Sequence, residues 1–144
     1  MSPKPVYEID GSQFATLEGF FEEVSRVLVP SARWGHNLDA FNDILRGGFG
    51  TREGGFVLQW KNSAISRERL SYPETARQLQ LRLMKCHPAN RERVEQYLDD
   101  ARKAKGPTVF DWLLEIIRVH EHGGREEEDG VELVLDEATS KGLL

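Results

Sequence analysis

Three short apolar runs separated by amphipathic stretches constrain the fold of this chain most. Residues 6–9, 56–60 and 131–135 are rich in β-branched, aromatic and other apolar side chains, as strands are. Between them, apolar residues recur at spacings of three and four, which predicts helices. Strands joined by helical crossovers form parallel sheets. The sequence therefore predicts an α/β fold, a small three-stranded parallel sheet packed with helices, and residues 56–60 buried on both faces.

Two helices are predicted between the first two strands. The apolar face of the first comprises Phe14, Leu17, Phe21, Val24 and Leu28, and Thr16 is its expected N-cap. The second carries Leu38, Phe41, Ile44 and Leu45, with Asn37 as its N-cap and Gly47–Gly48 as its stop. Near the other end of the chain, a deeply packed helix is expected to place Phe110 and Trp112 in the core.

Charge is segregated along the chain. Residues 61–105 contain eleven Lys or Arg and six Asp or Glu, although the whole chain carries a net charge of −5. We interpret 1–144 as a single domain with an extra, basic helical insert at about 61–105. The insert is predicted to form two helices that pack through Leu79, Leu83, Val94 and Leu98, with Tyr97 and Cys86 buried. Residues 123–130 are predicted to be a flexible acidic turn, and the tail from Asp136 is expected to fray.

Composition excludes several classes of protein. Apolar residues make up 39% of the chain and charged residues 30%, which excludes a transmembrane protein. One cysteine cannot form an intramolecular disulfide or a four-cysteine zinc site. The first residues lack the basic and apolar pattern of a signal peptide, so a cytoplasmic location is expected, with no membrane partner. An acidic chain also disfavours nucleic acid as a partner and suits a cationic one.

Residues 33–43 are the most informative part of the chain. Asp39 and Asp43 are four residues apart on the predicted helix, so their carboxylates share one face. Like charges at this spacing destabilise a helix by roughly a few tenths of a kcal/mol, whereas Asp39 in the first turn is favoured by the helix dipole. Spacing alone favours a solvated acidic face. It does not by itself indicate a binding site.

The run WGHNLDAFNDIL at 34–45, followed by Gly47, resembles the second-helix signature of the barstar family, small intracellular inhibitors of secreted ribonucleases. Asp10-Gly11 ends the first strand at the family's distance from Trp34-Gly35. The strand at 56–60 and the closing helix and strand are also similar to the family pattern. The resemblance covers roughly 90 residues and leaves out the middle helices. It implies the family's three-stranded parallel sheet.

The resemblance also implies a function and a set of site residues. The acidic helix 37–46 and the preceding loop would block the cationic active site of a ribonuclease, where carboxylates can replace phosphate oxygens. The family's key helix carboxylate maps to Asp43. Arg33 and Asn42 stand where the family has aromatic residues, and Arg46 precedes the glycine after the helix. The implied partner-binding residues are Arg33, Gly35, Asn37, Asp39, Asn42, Asp43, Arg46 and Gly47, and a secreted ribonuclease is the expected protein partner.

Other chemistry is less favoured by the sequence. His36, Asp39 and Asp43 are metal-ligand types at related spacings, but His36 is expected to point to solvent, and neither a metal nor a cofactor is predicted. His120 and His122 are interpreted as dipole partners at a helix end. A catalytic pair of Asp39 and Asp43 would lack a nucleophile and an oxyanion site, so no enzyme is predicted. A non-nuclease interaction module on the same fold is the main alternative, and a small hydrolase ranks below it.

Overall fold

The computed structural model describes residues 4–47 and 54–137. Three strands form its sheet: β1 (Val6–Asp10), β2 (Val57–Lys61) and β3 (Glu132–Asp136). They lie in the order β1-β2-β3, and both neighbouring pairs are parallel. In register, Ile9 faces Trp60 and Trp60 faces Leu135. The predicted α/β fold with a small parallel sheet is therefore confirmed.

The two faces of the central strand differ in burial. Leu58 and Trp60 are fully buried, whereas Val57 and Gln59 on the opposite face are only half-buried. The expectation that this strand is buried on both faces is wrong. Helix packing covers one face of the sheet, and the strand follows the alternation typical of a half-covered sheet.

In the described ranges, six α-helices accompany the sheet. Their bounds are α1 (Leu17–Leu28), α2 (Leu38–Leu45), α3 (Ser63–Arg69), α4 (Tyr72–Leu83), α5 (Arg91–Arg102) and α6 (Val109–Val119). The sequence did not predict α3. It has only seven residues and no side-chain cap, and its N-cap position, Asn62, has a left-handed φ of 56°. A helix this short, with few apolar residues, leaves too weak a periodic signal to detect.

The main hydrophobic core lies between the sheet and α1, α2 and α6. Its largest fully buried side chains include Trp60, Phe20, Phe41 and Phe110, whose rings contact one another edge-on or tilted. The expected placement of Phe110 is confirmed. Thr16 caps α1 as predicted, because its Oγ1 accepts a hydrogen bond of 3.0 Å from the Gly19 N–H.

A second, smaller hydrophobic cluster joins α4 to α5. It consists of Leu79, Leu83, Val94, Leu98 and Ala101, and it includes the four packing residues predicted for this region. Trp112 on α6 is half-buried and packs against both clusters, so it lies at their boundary and not deep in the core as expected. The treatment of 61–105 as an insert in a single domain stays a prediction.

Two expected burials in this region are wrong. Tyr97 is 50% exposed, because α5 buries the stripe Val94, Leu98 and Ala101 and Tyr97 lies at its edge. Cys86 is only half-buried, since α4 ends at Leu83, short of the cysteine. Its Sγ lies 3.7 Å from the Leu83 carbonyl oxygen.

Some predictions fall on residues that the structure does not describe. Gly48, predicted as part of the helix stop, lies outside the described residues, as do residues 138–144 of the tail. Asp136, where fraying was expected to begin, is the last residue of β3. Among residues 4–47 and 54–137, no helix combines the length and the apolar character needed to cross a membrane.

Candidate acidic binding face

The second helix is held by a fully buried inner face and a capped N-terminus. Phe41, Ile44 and Leu45 are at most 1% exposed. Asn37 Oδ1 accepts a hydrogen bond of 2.8 Å from the Ala40 N–H, which is the predicted N-cap. A Cβ on Gly35 would come within 2.6 Å of Asn37 Nδ2, so the glycine gives the capping side chain room. The helix thus presents its outer residues from a rigid base.

The loop before α2 is anchored through an aromatic side chain. Trp34 Nε1 donates a hydrogen bond of 2.9 Å to Ser25 Oγ on α1, and its ring packs edge-on against Phe21. His36 has a left-handed φ of 48°, and its exposed ring lies 4.4 Å from the Trp34 ring, centroid to centroid. Arg33 is exposed beside them. Residues 33–36 therefore form a short anchored loop next to the N-terminus of α2.

Asp39 and Asp43 lie exposed on the outer face of α2, as expected from their spacing. We call these two residues the acidic face. The helix ends at Arg46 and Gly47, where Gly47 has a φ of 93° and donates its N–H to the Ile44 carbonyl oxygen at 3.0 Å. A left-handed residue at this position is usually glycine, so Gly47 is part of the predicted helix stop.

Arg46 is ion-paired on both sides. Its Nη1 donates to Asp43 Oδ1 at 3.0 Å, while Nε and Nη2 donate to Glu126 Oε1 and Oε2 at 2.7 and 2.9 Å. The hydrogen bonds that Arg46 donates to Glu126 lower the pKa of the Glu126 carboxyl. The same hydrogen bonds, with the negative charges of Glu126 and Asp43, raise the pKa of Arg46 above its usual range. Arg46 is therefore a compensated cation at the end of the acidic face.

Asn42 is turned away from the acidic face. Its Oδ1 lies 2.6 Å from Nε2 of the fully buried His120, whose Nδ1 lies 2.6 Å from Asp129 Oδ2. His120 lies at the end of α6, as interpreted, but its buried ring also connects α2 to the segment after α6. The sequence held a signal for it: His120 follows Leu113 and Ile117 at spacings of seven and three, on the buried stripe of that helix.

The segment 121–129 after α6, which we call the acidic segment, makes several hydrogen bonds to the rest of the fold. The backbone N–H of Glu126 donates to the Val119 carbonyl oxygen at 2.8 Å, and residues Glu127–Asp129 form a 3-10 turn. The Arg46–Glu126 and His120–Asp129 contacts tie its side chains to α2 and α6. Glu126 and His120 are the site residues that sequence reasoning missed. Nothing in sequence spacing indicated the Glu126 contact, since the two residues of that pair are 80 positions apart.

One set of potential metal ligands comes together within the described part of the chain. Atoms of His120, Glu126 and Asp129 lie within 4.8 Å of one another. His120 and Asp129 are hydrogen-bonded to each other, and Glu126 is held by Arg46. Because these contacts account for all three side chains, we propose no metal here. The set does not include His36, Asp39 or Asp43.

An open groove of about 490 Å³ runs beside the acidic face, between α2 and α6. Asp39 and Arg46 line one wall, and Trp112 and Glu115 line the other. Arg82 of α4 also borders the groove, with its guanidinium 5.5 Å from the Trp112 ring centroid. The region 61–105 therefore reaches the neighbourhood of the acidic face.

Together these features define a class of protein: a small parallel α/β protein that presents a rigid, capped acidic helix. A model of the family described as Barstar (barnase inhibitor) matches residues 4–106. The chain belongs to the barstar family, which confirms the resemblance seen in residues 34–47. The matched range includes the basic stretch 61–105. No curated protein matches the chain.

Proposed function

We propose that this protein is a ribonuclease inhibitor that blocks a cationic nuclease active site with the acidic helix 37–46 and the loop before it. The observation that carries the proposal is the acidic face: two exposed carboxylates on a helix whose opposite side is fully buried. A site built to hold phosphate presents Arg, Lys and His, and carboxylates on a rigid support can occupy the positions of phosphate oxygens.

Membership of the barstar family supports this proposal, because the family is described by its inhibition of barnase. Within the proposal, the partner is a secreted ribonuclease, the inhibitor acts in the cytoplasm, and the protein is neither an enzyme nor dependent on a cofactor. Asp43 is the principal contact residue. Asp39, Arg33 and Gly35 lie around it, while Asn37, Asn42, Arg46 and Gly47 support the helix and its end.

The experiment measures RNA hydrolysis by barnase, and by ribonucleases secreted by the source organism, with rising amounts of the purified chain. We expect stoichiometric inhibition. Asp43→Ala should weaken it by orders of magnitude, because truncation leaves the nuclease's cations buried and unpaired, at a cost of roughly 2–5 kcal/mol. Asp39→Ala, nearer the rim, should cost less.

Absence of both inhibition and binding would overturn the proposal. Binding of a protein without nuclease activity through the acidic face would favour the alternative interaction module. RNA or ester hydrolysis by the chain alone, abolished in Asp39→Asn or Asp43→Asn, would instead favour the hydrolase.

A further inference from the structure

The positive charge of Arg46 is unfavourable for binding a cationic enzyme through α2. It lies at the end of α2, ion-paired to Asp43 at 3.0 Å and 44% exposed. An uncompensated guanidinium here would repel the lysines and arginines of a nuclease, since charges a few ångströms apart at a protein surface interact appreciably. It would also hold the carboxylate that the partner needs.

Glu126 is placed so that its carboxylate compensates the positive charge of Arg46. It accepts two parallel hydrogen bonds from Arg46, which is the bidentate arrangement that arginine and carboxylate favour. The backbone of Glu126 is held independently of Arg46, because its N–H donates a hydrogen bond to the Val119 carbonyl oxygen. The carboxylate is therefore brought to Arg46 by the fold of the acidic segment and not by the ion pair alone.

The donors of Arg46 are divided between its two partners. Nε and Nη2 serve Glu126, and Nη1 alone serves Asp43. Asp43 can therefore give up its hydrogen bond from Nη1 and pair with a cation of the partner. The two hydrogen bonds from Arg46 to Glu126 stay in place during this change. During this exchange the arginine remains neutralised and is held on the side of the acidic segment.

We infer that Glu126 is a specificity-determining residue: by compensating the charge of Arg46, it leaves the two negative charges of the acidic face undiminished and frees Asp43 for an arginine or lysine of the nuclease. This inference rests on the proposed function. If the inference is correct, the acidic segment affects which partner binds, because Glu126 acts on Arg46. Glu126 itself need not contact the partner.

The test measures association and dissociation rates with barnase at several salt concentrations, for Glu126→Gln and for the matched control Glu128→Gln. Both variants lose one negative charge, and Glu128 is an exposed residue of the same segment. We expect Glu126→Gln to weaken binding on the order of tenfold, most strongly at low salt, and Glu128→Gln to have a much smaller effect.

The double variant Arg46→Gln/Glu126→Gln separates compensation from a structural role. If Glu126 acts by neutralising Arg46, removing both charges should restore wild-type affinity, and Arg46→Gln alone should bind at least as tightly as wild type. Thermal melts of all four variants confirm folding. Equal effects of Glu126→Gln and Glu128→Gln, or a double variant as weak as Glu126→Gln, would overturn the inference while the proposed function stands. A wild-type chain that binds neither barnase nor a ribonuclease secreted by the source organism would overturn the proposed function, and the inference with it.

Discussion

Glu74 on α4 accepts a hydrogen bond of 2.8 Å at Oε2 from the backbone N–H of Leu17, the first residue of α1. The carboxylate is only 5% exposed and also pairs with Arg77. It satisfies a backbone donor that α1 itself cannot satisfy, and it places a negative charge at the positive end of that helix. Nearby, Thr75 Oγ1 accepts a hydrogen bond from the Val109 N–H at the start of α6. The N-terminus of α4 thus holds the starts of two core helices.

Replacing Glu74 with Ala should destabilise the protein by about 2 kcal/mol, because a buried backbone donor loses its partner and Arg77 keeps only its second carboxylate partner, Glu18. The midpoint of thermal unfolding, followed by circular dichroism, measures this. Glu95→Ala, on the exposed side of α5, is the matched control and should change stability by less than about 0.5 kcal/mol. Equal melting points for the two variants would show that the Glu74–Leu17 contact contributes no stability.

Truncating the second cluster with Leu98→Ala should cost about 2–5 kcal/mol, since the side chain is 4% exposed and its removal leaves a cavity. Denaturant unfolding checks this value. Leu81→Ala removes the same atoms from a side chain that is 38% exposed, and it should have a much smaller effect. If the two losses were equal, packing between α4 and α5 would not be the source of stability in this region.

His120→Phe should destabilise the protein by about 1–3 kcal/mol, because Asn42 and Asp129 lose their polar contacts with the buried imidazole. His122→Phe, two residues further on and exposed, is the control. Amide hydrogen exchange in residues 121–131 gives a second measurement, and exchange there should speed up only in the first variant. Unchanged exchange would mean that the imidazole does not hold the acidic segment.

Stability should fall in acid partly through Asp10. Burial works to raise the pKa of this carboxyl, but hydrogen bonds from Asn62 and Ser12 outweigh burial and hold it below its ordinary value of 3.8. A depressed pKa in the folded state contributes stability that is complete above the unfolded value and is lost as pH falls through the folded one. The advantage of wild type over Asp10→Asn should therefore be largest near pH 7 and shrink below about pH 4. Melting points at pH 2–7 measure it, and a constant difference would contradict the assignment.

Local patterns predicted much of this molecule. Strands 6–9, 56–60 and 131–135 were placed within about a residue, since strand ends are set by short-range turn signals such as Asp10-Gly11. The N-caps Thr16 and Asn37 were found because capping depends on residues within one helical turn. The acidic face followed from a helical spacing of four.

Tertiary contacts supplied the rest. Spacing along the chain carries no information on which carboxylate pairs with Arg46. The contact with Glu126 could therefore not be predicted from the sequence. The burial of His120 depended on weighing its place on the apolar stripe of α6 above its polar character. The exposure of Tyr97 was not predicted, because helical spacing places it next to the apolar stripe of α5 but does not show which residues at the edge of that stripe a neighbouring helix covers.

Trp112 lies against both hydrophobic clusters. A side chain shared in this way couples the loss of packing in one cluster to the other, so α4 and α5 cannot melt without loosening the core behind α6. Unfolding should accordingly be a single cooperative transition, with tryptophan fluorescence and circular dichroism changing together. The basic stretch 61–105 and the acidic remainder of the chain would then unfold together. A protease could cleave within 61–105 only when the whole molecule opens.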